Sequence, residues 1–111
     1  MNVSEKLMYI VGKWLANGWT FNGKVYIESW RDEKLEEALY YRPESWERRL
    51  KGMHRLYIIT SKELADWLDS EFGKGENKHI PEWALVYKAI LSEALGKKAK
   101  IFFGGKRCTR P

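Results

Sequence analysis

Asn22-Gly23 stands between two runs rich in aromatic and β-branched residues, Trp19-Thr20-Phe21 and Val25-Tyr26-Ile27. A two-residue hairpin needs positive φ at both turn positions, which Asn and Gly adopt with little strain. The pair therefore commits this part of the chain to an antiparallel sheet, whatever surrounds it. At 111 residues the chain has room for one core and little for a second. The hairpin and its neighbours are thus expected to form one domain, 1–111.

Helical signals flank the hairpin. In residues 1–17, Ser4 is a cap and Glu5 suits the positive end of the dipole. Leu7, Ile10, Val11, Trp14 and Leu15 recur at helical spacing, and Asn17-Gly18 reads as a left-handed stop. Ser29 or Asp32 opens a second helix through Leu35, Ala38 and Leu39 to Tyr41, with Glu33, Glu36 and Glu37 on a solvated face. Pro43 ends it and suits the first turn of a short helix, in which Trp46, Leu50 and Met53 fall at i, i+4 and i+7 and Gly52 is the stop.

Residues 54–59 are short and β-rich, which predicts a strand. Thr60 with Glu63 forms a capping-box pattern before a helix whose Leu64, Trp67, Leu68 and Phe72 share one face. A loop follows over 73–79, then an apolar helix over 82–95 with Pro81 at its start and Gly96 at its end. The tail predicts a strand at 98–103, a Gly104-Gly105 turn and a return strand at 106–110.

Charge is unevenly placed. Residues 1–48 carry seven basic and eight acidic groups, whereas 49–111 carry thirteen and seven, so the second half holds the whole excess of the +5 net charge. From Gly96 onward there are six Lys and Arg and no acid. Such a stretch fits an acidic partner.

The order over 43–110 is helix, strand, helix, loop, helix, strand, glycine turn, strand. That order, with the passage Ile58-Ile59-Thr60-Ser61-Lys62-Glu63-Leu64-Ala65-Asp66-Trp67-Leu68, resembles a winged helix–turn–helix DNA-binding domain. Ala65 stands where that family keeps a small residue between crossing helices. The resemblance implies an α+β fold: a winged helix–turn–helix-like part, 43–111, with an amino-terminal helix–β-hairpin–helix extension, 1–42. In that family the strand after the first helix pairs with the two wing strands. It implies that Thr60, Ser61 and Lys62 present backbone N–H groups and a cation to phosphate. It puts the helix at 82–95, with Lys88, in the major groove, and Lys98, Lys100, Lys106 and Arg107 on the wing.

That helix lacks Arg, Asn and Gln, the side chains that read base edges in pairs of hydrogen bonds. Contacts then shift to the preceding loop, to Lys74, Asn77, Lys78 and His79. The expectation is a nucleic-acid-binding protein, with duplex DNA favoured over RNA, gripping the backbone, as a transcriptional regulator does. This requires Lys62, Lys78, Lys98, Lys100 and Arg107 on one face. The alternative is a non-enzymatic protein-interaction or oligomerisation module on the same scaffold, with a homodimer or another protein as partner. A third use is RNA binding with Phe102 or Phe103 stacked on unpaired bases.

No catalytic constellation is legible. His54 and His79 lie far apart in sequence without metal-ligand spacing, and the one cysteine, Cys108, has no positioned base to nominate. Neither Gly73-Lys74-Gly75 nor Gly104-Gly105-Lys106 has the flanks of a phosphate-binding loop. No enzyme activity, metal or cofactor is expected. No apolar run approaches a membrane span, and the single cysteine with no leader pattern favours the cytoplasm. The absence of Gln beside abundant Glu and Lys is a bias of proteins from hot-living organisms.

Overall fold

The structure, a computed structural model, describes residues 1–104. The amino-terminal helix α1 covers Glu5–Asn17, with the Ser4 hydroxyl accepting from the Leu7 N–H. It runs straight into β1, Gly18–Phe21, and the hairpin returns as β2, Lys24–Trp30. Asn22 and Gly23 both have positive φ, as the two-residue turn requires. Gly18 is not the left-handed stop expected: its φ of −135° is extended. A Cβ there would lie 2.5 Å from the Trp14 ring and 2.7 Å from the Tyr26 carbonyl, so glycine is needed for close approach.

Helix α2, Glu33–Tyr40, is capped by Asp32, whose carboxylate accepts from the Leu35 N–H. The short helix expected after Pro43 is instead a strand, β3, Ser45–Lys51, which turns through Gly52 and Met53 into β4, His54–Thr60. The helical spacing of Trp46, Leu50 and Met53 was accidental: Leu50 and Met53 are exposed, and only Trp46 packs on the core. Gly52 has φ of 63°. Positive φ at the first position of a two-residue turn suits a second hairpin rather than a helix end.

Both hairpins join in one antiparallel sheet of order β1-β2-β4-β3. Strand β4 is central, paired with β2 from Lys24↔Thr60 to Trp30↔His54 and with β3 from Ser45↔Thr60 to Lys51↔His54. Its neighbours are thus the amino-terminal hairpin and β3, where the resemblance had implied wing strands.

Helix α3, Lys62–Phe72, starts one residue later than expected, capped by Ser61 rather than Thr60. Pro81 precedes a 3₁₀ segment, Glu82–Tyr87, which becomes helix α4, Lys88–Leu95. The wing strand expected at 98–103 is helical: Gly96 turns the chain through a 3₁₀ turn into α5, Ala99–Phe103. The run Ile101-Phe102-Phe103 is helical despite its β-prone side chains, with Phe102 buried and Ile101 exposed. The return strand at 106–110 lies outside the described residues. The architecture is α+β, with the helices joined to one face of the sheet.

That face is set by alternation. Val25, Ile27, Tyr57 and Ile59 enter one apolar cluster with Leu7, Ile10, Trp14, Leu35, Leu64, Leu68, Phe72 and Leu91. No residue from the opposite face of the sheet belongs to it. Helices α1 and α4 meet at Gly12, where a Cβ would fall 2.5 Å from that of Ala94.

Candidate nucleic-acid interface

The cations that the sequence nominated are mostly engaged within the fold. Helix α1 has no basic residue in its last turn, so its terminal carbonyls lack a local counter-charge. Two lysines from distant parts of the chain provide it. Lys78 Nζ donates to the carbonyls of Trp14 and Gly18 and lies over the Trp14 ring, 4.3 Å from its centre. Lys98 Nζ donates to the Ala16 carbonyl and the Asn17 side chain. Burial, followed by the nearby Lys98 charge, pulls Lys78 down to about 8, with Asp69 opposing.

Lys62 pairs with Asp66 at 2.6 Å and Lys74 with Asp69 at 3.5 Å, and both carboxylates line one cavity with Lys74. Asn77 ends a 3₁₀ turn and its carbonyl meets the His79 ring. Lys88 starts α4 and lies over the Phe103 ring. Lys100 is exposed on α5. Ser61 spends its hydroxyl on the α3 cap, while Thr60 is exposed at the end of β4. Lys106 and Arg107 lie outside the described residues. Lys78 and Lys98 thus meet at the end of α1, but they do so as its caps. Of the two rings considered for stacking on RNA, Phe102 is buried and Phe103 is half-buried with Lys88 over it.

A different surface is open. The face of the sheet opposite the core is ordered in cross-strand rows. The first holds Phe21, Lys24, Thr60 and Ser45, and the second Trp19, Tyr26, Ile58 and Glu47. The third holds Glu28, Leu56 and Arg49, and the last Trp30, His54 and Lys51. Trp19 is 43% exposed, Phe21 63% and Trp30 56%. Large aromatic rings clustered in the open mark an interaction surface more than scattered apolar residues do.

The rings are arranged in pairs. Trp19 and Tyr26 stack with centres 5.2 Å apart and planes within 3°. Trp30 lies 4.1 Å from His54. Along β2 the two pairs are four residues apart, about 13 Å at strand rise. Between them lies Leu56, half-buried, while Ile58, in the row of Tyr26, is buried; Lys24, Arg49 and Lys51 stand around them with Glu28 and Glu47. Arg49 pairs with Glu47 at 2.9 Å and Lys51 approaches Glu28 at 3.9 Å.

These residues were missed as a site, although their signal was present. From Lys24 to Trp30, Val25, Ile27 and Ser29 alternate with Lys24, Tyr26, Glu28 and Trp30. An aromatic–charged face opposite an apolar one is readable at period two. What could not be read was that β4 and β3 extend it, because β3 looked helical.

Among the described residues no three His, Cys, Asp or Glu side chains gather as a metal site. No described helix is long and apolar enough to cross a membrane. No protein-family model matches the chain, and no curated protein matches it.

Proposed function

We propose that this protein binds nucleic acid, and that it takes a single strand across the open face of its sheet. The carrying observation is the pair of aromatic sets, Trp19–Tyr26 and Trp30–His54, exposed on an antiparallel sheet with Lys24, Arg49 and Lys51 among them. Every base has a π-face, so aromatic platforms hold unpaired bases with little regard to sequence, while cations follow the backbone. A duplex hides those faces. The three cations share the surface with Glu28 and Glu47, so stacking rather than charge supplies most of the affinity.

The test is fluorescence anisotropy with a mixed-sequence single-stranded oligonucleotide and its duplex. Each stacked base contributes about 1–3 kcal/mol, so Trp30→Ala and Trp19→Ala should each weaken single-strand binding by roughly 5- to 150-fold. Unaltered affinity in both variants removes the sheet face from the reading.

The winged-helix arrangement of 43–111, with duplex DNA and transcriptional regulation as its use, is the rival form of the proposal. It puts Thr60, Ser61, Lys62, Lys74, Asn77, Lys78, Lys88, Lys98, Lys100, Lys106 and Arg107 against nucleic acid. It requires that Lys62→Glu with Lys100→Glu weaken duplex binding and that Trp30→Ala leave it unchanged. An interaction module is the reading from another class, and the unpaired outer edge of β3 favours it.

A further inference from the structure

We infer that the β3 edge is a self-complementary surface, and that two copies of this chain join there, strand to strand, about a two-fold axis through Arg48. The inference is independent of what the open sheet face binds.

The backbone argument begins at the two hairpins. Two-residue turns are closed by residue pairs that exchange both hydrogen bonds, here Phe21↔Lys24 and Lys51↔His54. Counting from Lys51, residues 51, 49, 47 and 45 direct their N–H and C=O groups to β4. Counting from Lys24 across β2 and β4 leads to the same alternation. Trp46, Arg48 and Leu50 therefore direct theirs outward. No backbone partner for them appears among the described residues. Six of the seven residues of β3 are exposed and the seventh is half-buried. An uncovered seven-residue edge is a ready template for another strand.

The side chains select which strand. With Arg48 opposite Arg48 of a second copy, Trp46 and Leu50 face each other twice, and all three outward-directed residues form hydrogen-bonded pairs. On the open face, Glu47 of each copy meets Arg49 of the other. On the core side, Leu50 is 66% exposed in the single chain and would be covered by Trp46 of the second copy. The two central arginines do not repel as bare charges, because each is held by its own Glu36 at 2.7 Å.

Neighbouring registers are worse. Glu47 and Arg49 already pair within one chain at 2.9 Å, and the central register extends that pair into a network of four alternating charges. A shift of two residues one way instead opposes Glu47 to Glu47 and shortens the ladder. The opposite shift opposes Arg49 to Arg49 and shortens the ladder. Charges on an edge normally repel other strands. Here their alternation, Glu47 then Arg49, admits a second copy antiparallel at one register. The product is a continuous eight-stranded sheet, with the two open faces side by side.

The test uses the full chain in analytical ultracentrifugation across a dilution series. The expected result is a monomer–dimer equilibrium. Glu47→Arg and Arg49→Glu should each raise the dissociation constant by roughly tenfold or more, since like charges then face each other across the axis. An equimolar mixture of the two variants should form a heterodimer, because the guanidinium introduced at position 47 of one then meets the carboxylate introduced at position 49 of the other. That rescue separates edge pairing from misfolding. A wild-type chain that stays monomeric at millimolar concentration overturns the proposal. So do single variants that dimerise as tightly as the wild type, or a mixture that gains no dimer.

Discussion

Gly12→Ala reverses the usual rule for glycine in a helix, and the structure sets the sign. In an exposed helix interior the change stabilises by about 1 kcal/mol, since alanine loses less backbone entropy. Gly12 lies at the middle of α1 against α4. An alanine Cβ there would stand 2.5 Å from Ala94 Cβ and 3.2 Å from the Leu91 carbonyl oxygen. Both obstructing atoms are fixed to the α4 backbone, so no rotamer relieves the contact. The helices must separate by most of an ångström along an interface that buries Leu7, Val11, Leu91 and Leu95. Overpacking of this kind costs about 1–3 kcal/mol, and the upper half of that range applies to a clash between backbone-fixed atoms. The net loss is about 1–2 kcal/mol, a Tm lower by roughly 5–10 °C in a domain of this size.

Ala94→Gly removes the closest obstruction, so the effect of Gly12→Ala should shrink or change sign in that background. The expected coupling energy in the double-mutant cycle is about 1–2 kcal/mol. Thermal melts of the four proteins by circular dichroism measure it. A Gly12→Ala protein that melts higher than wild type, or a cycle that is additive, refutes the close approach of α1 and α4.

Lys78 separates a structural role from a binding one. Lys78→Met should lower Tm while leaving single-strand affinity unchanged, because its Nζ donates to the carbonyls at the end of α1, as the neutral amine also can; weakened binding at an unaltered Tm would contradict this. Its folded value of about 8 lies below the ordinary lysine value of 10.5. The unfolded chain therefore binds more protons between those values, and this group makes stability rise with pH across that window. Below about 8 both states hold the proton and its contribution is constant. Comparing the pH dependence of Tm in wild type and Lys78→Met isolates that rise, which the variant should lack.

Asp32 caps α2, pairs with Lys13 at 3.1 Å and accepts from the Tyr9 hydroxyl at 2.9 Å. Asp32→Ala loses the cap, worth about 1 kcal/mol, and leaves Tyr9 and Lys13 without their acceptor. A total of about 2–4 kcal/mol is expected in urea unfolding, and a loss under about 1 kcal/mol would deny the network its weight. Burial opposes the charge on Asp32, Glu36 and Glu44, but their donors outweigh it and hold all three below the ordinary values of 3.8 and 4.5. Their stabilisation is complete above those values and is lost as pH falls through the lowered ones. An acid titration of wild type and Asp32→Ala should show the smaller drop in the variant. For the sheet face, three cations on a single strand correspond to a log–log salt slope of roughly −2. A slope of about −3.6, from about four cations on a duplex, would favour the rival reading in isothermal titrations.

Residues acting on their immediate neighbours were legible in the sequence. Asn22-Gly23 made its turn, Ser4 and Asp32 capped their helices, and the apolar faces of α1 and α3 ran where their spacing put them. Each of these depends on a handful of consecutive residues, so the local preference and the final conformation agree. Tertiary structure decided the rest. Strand β3 has the composition of a solvated helix and became a strand because β4 offered it a ladder. Ile101-Phe102-Phe103 is a β-prone run, yet it is helical in the fold, with Phe102 in the core. Lys78 and Lys98 read as phosphate ligands until the fold brought them, 60 and more residues away in sequence, to the carbonyl end of α1. The aromatic surface needed two hairpins in register before its rings shared a face. Turns and caps are settled by short-range contacts, whereas a charge's partner and a sheet's open side are settled by which distant segment docks against them.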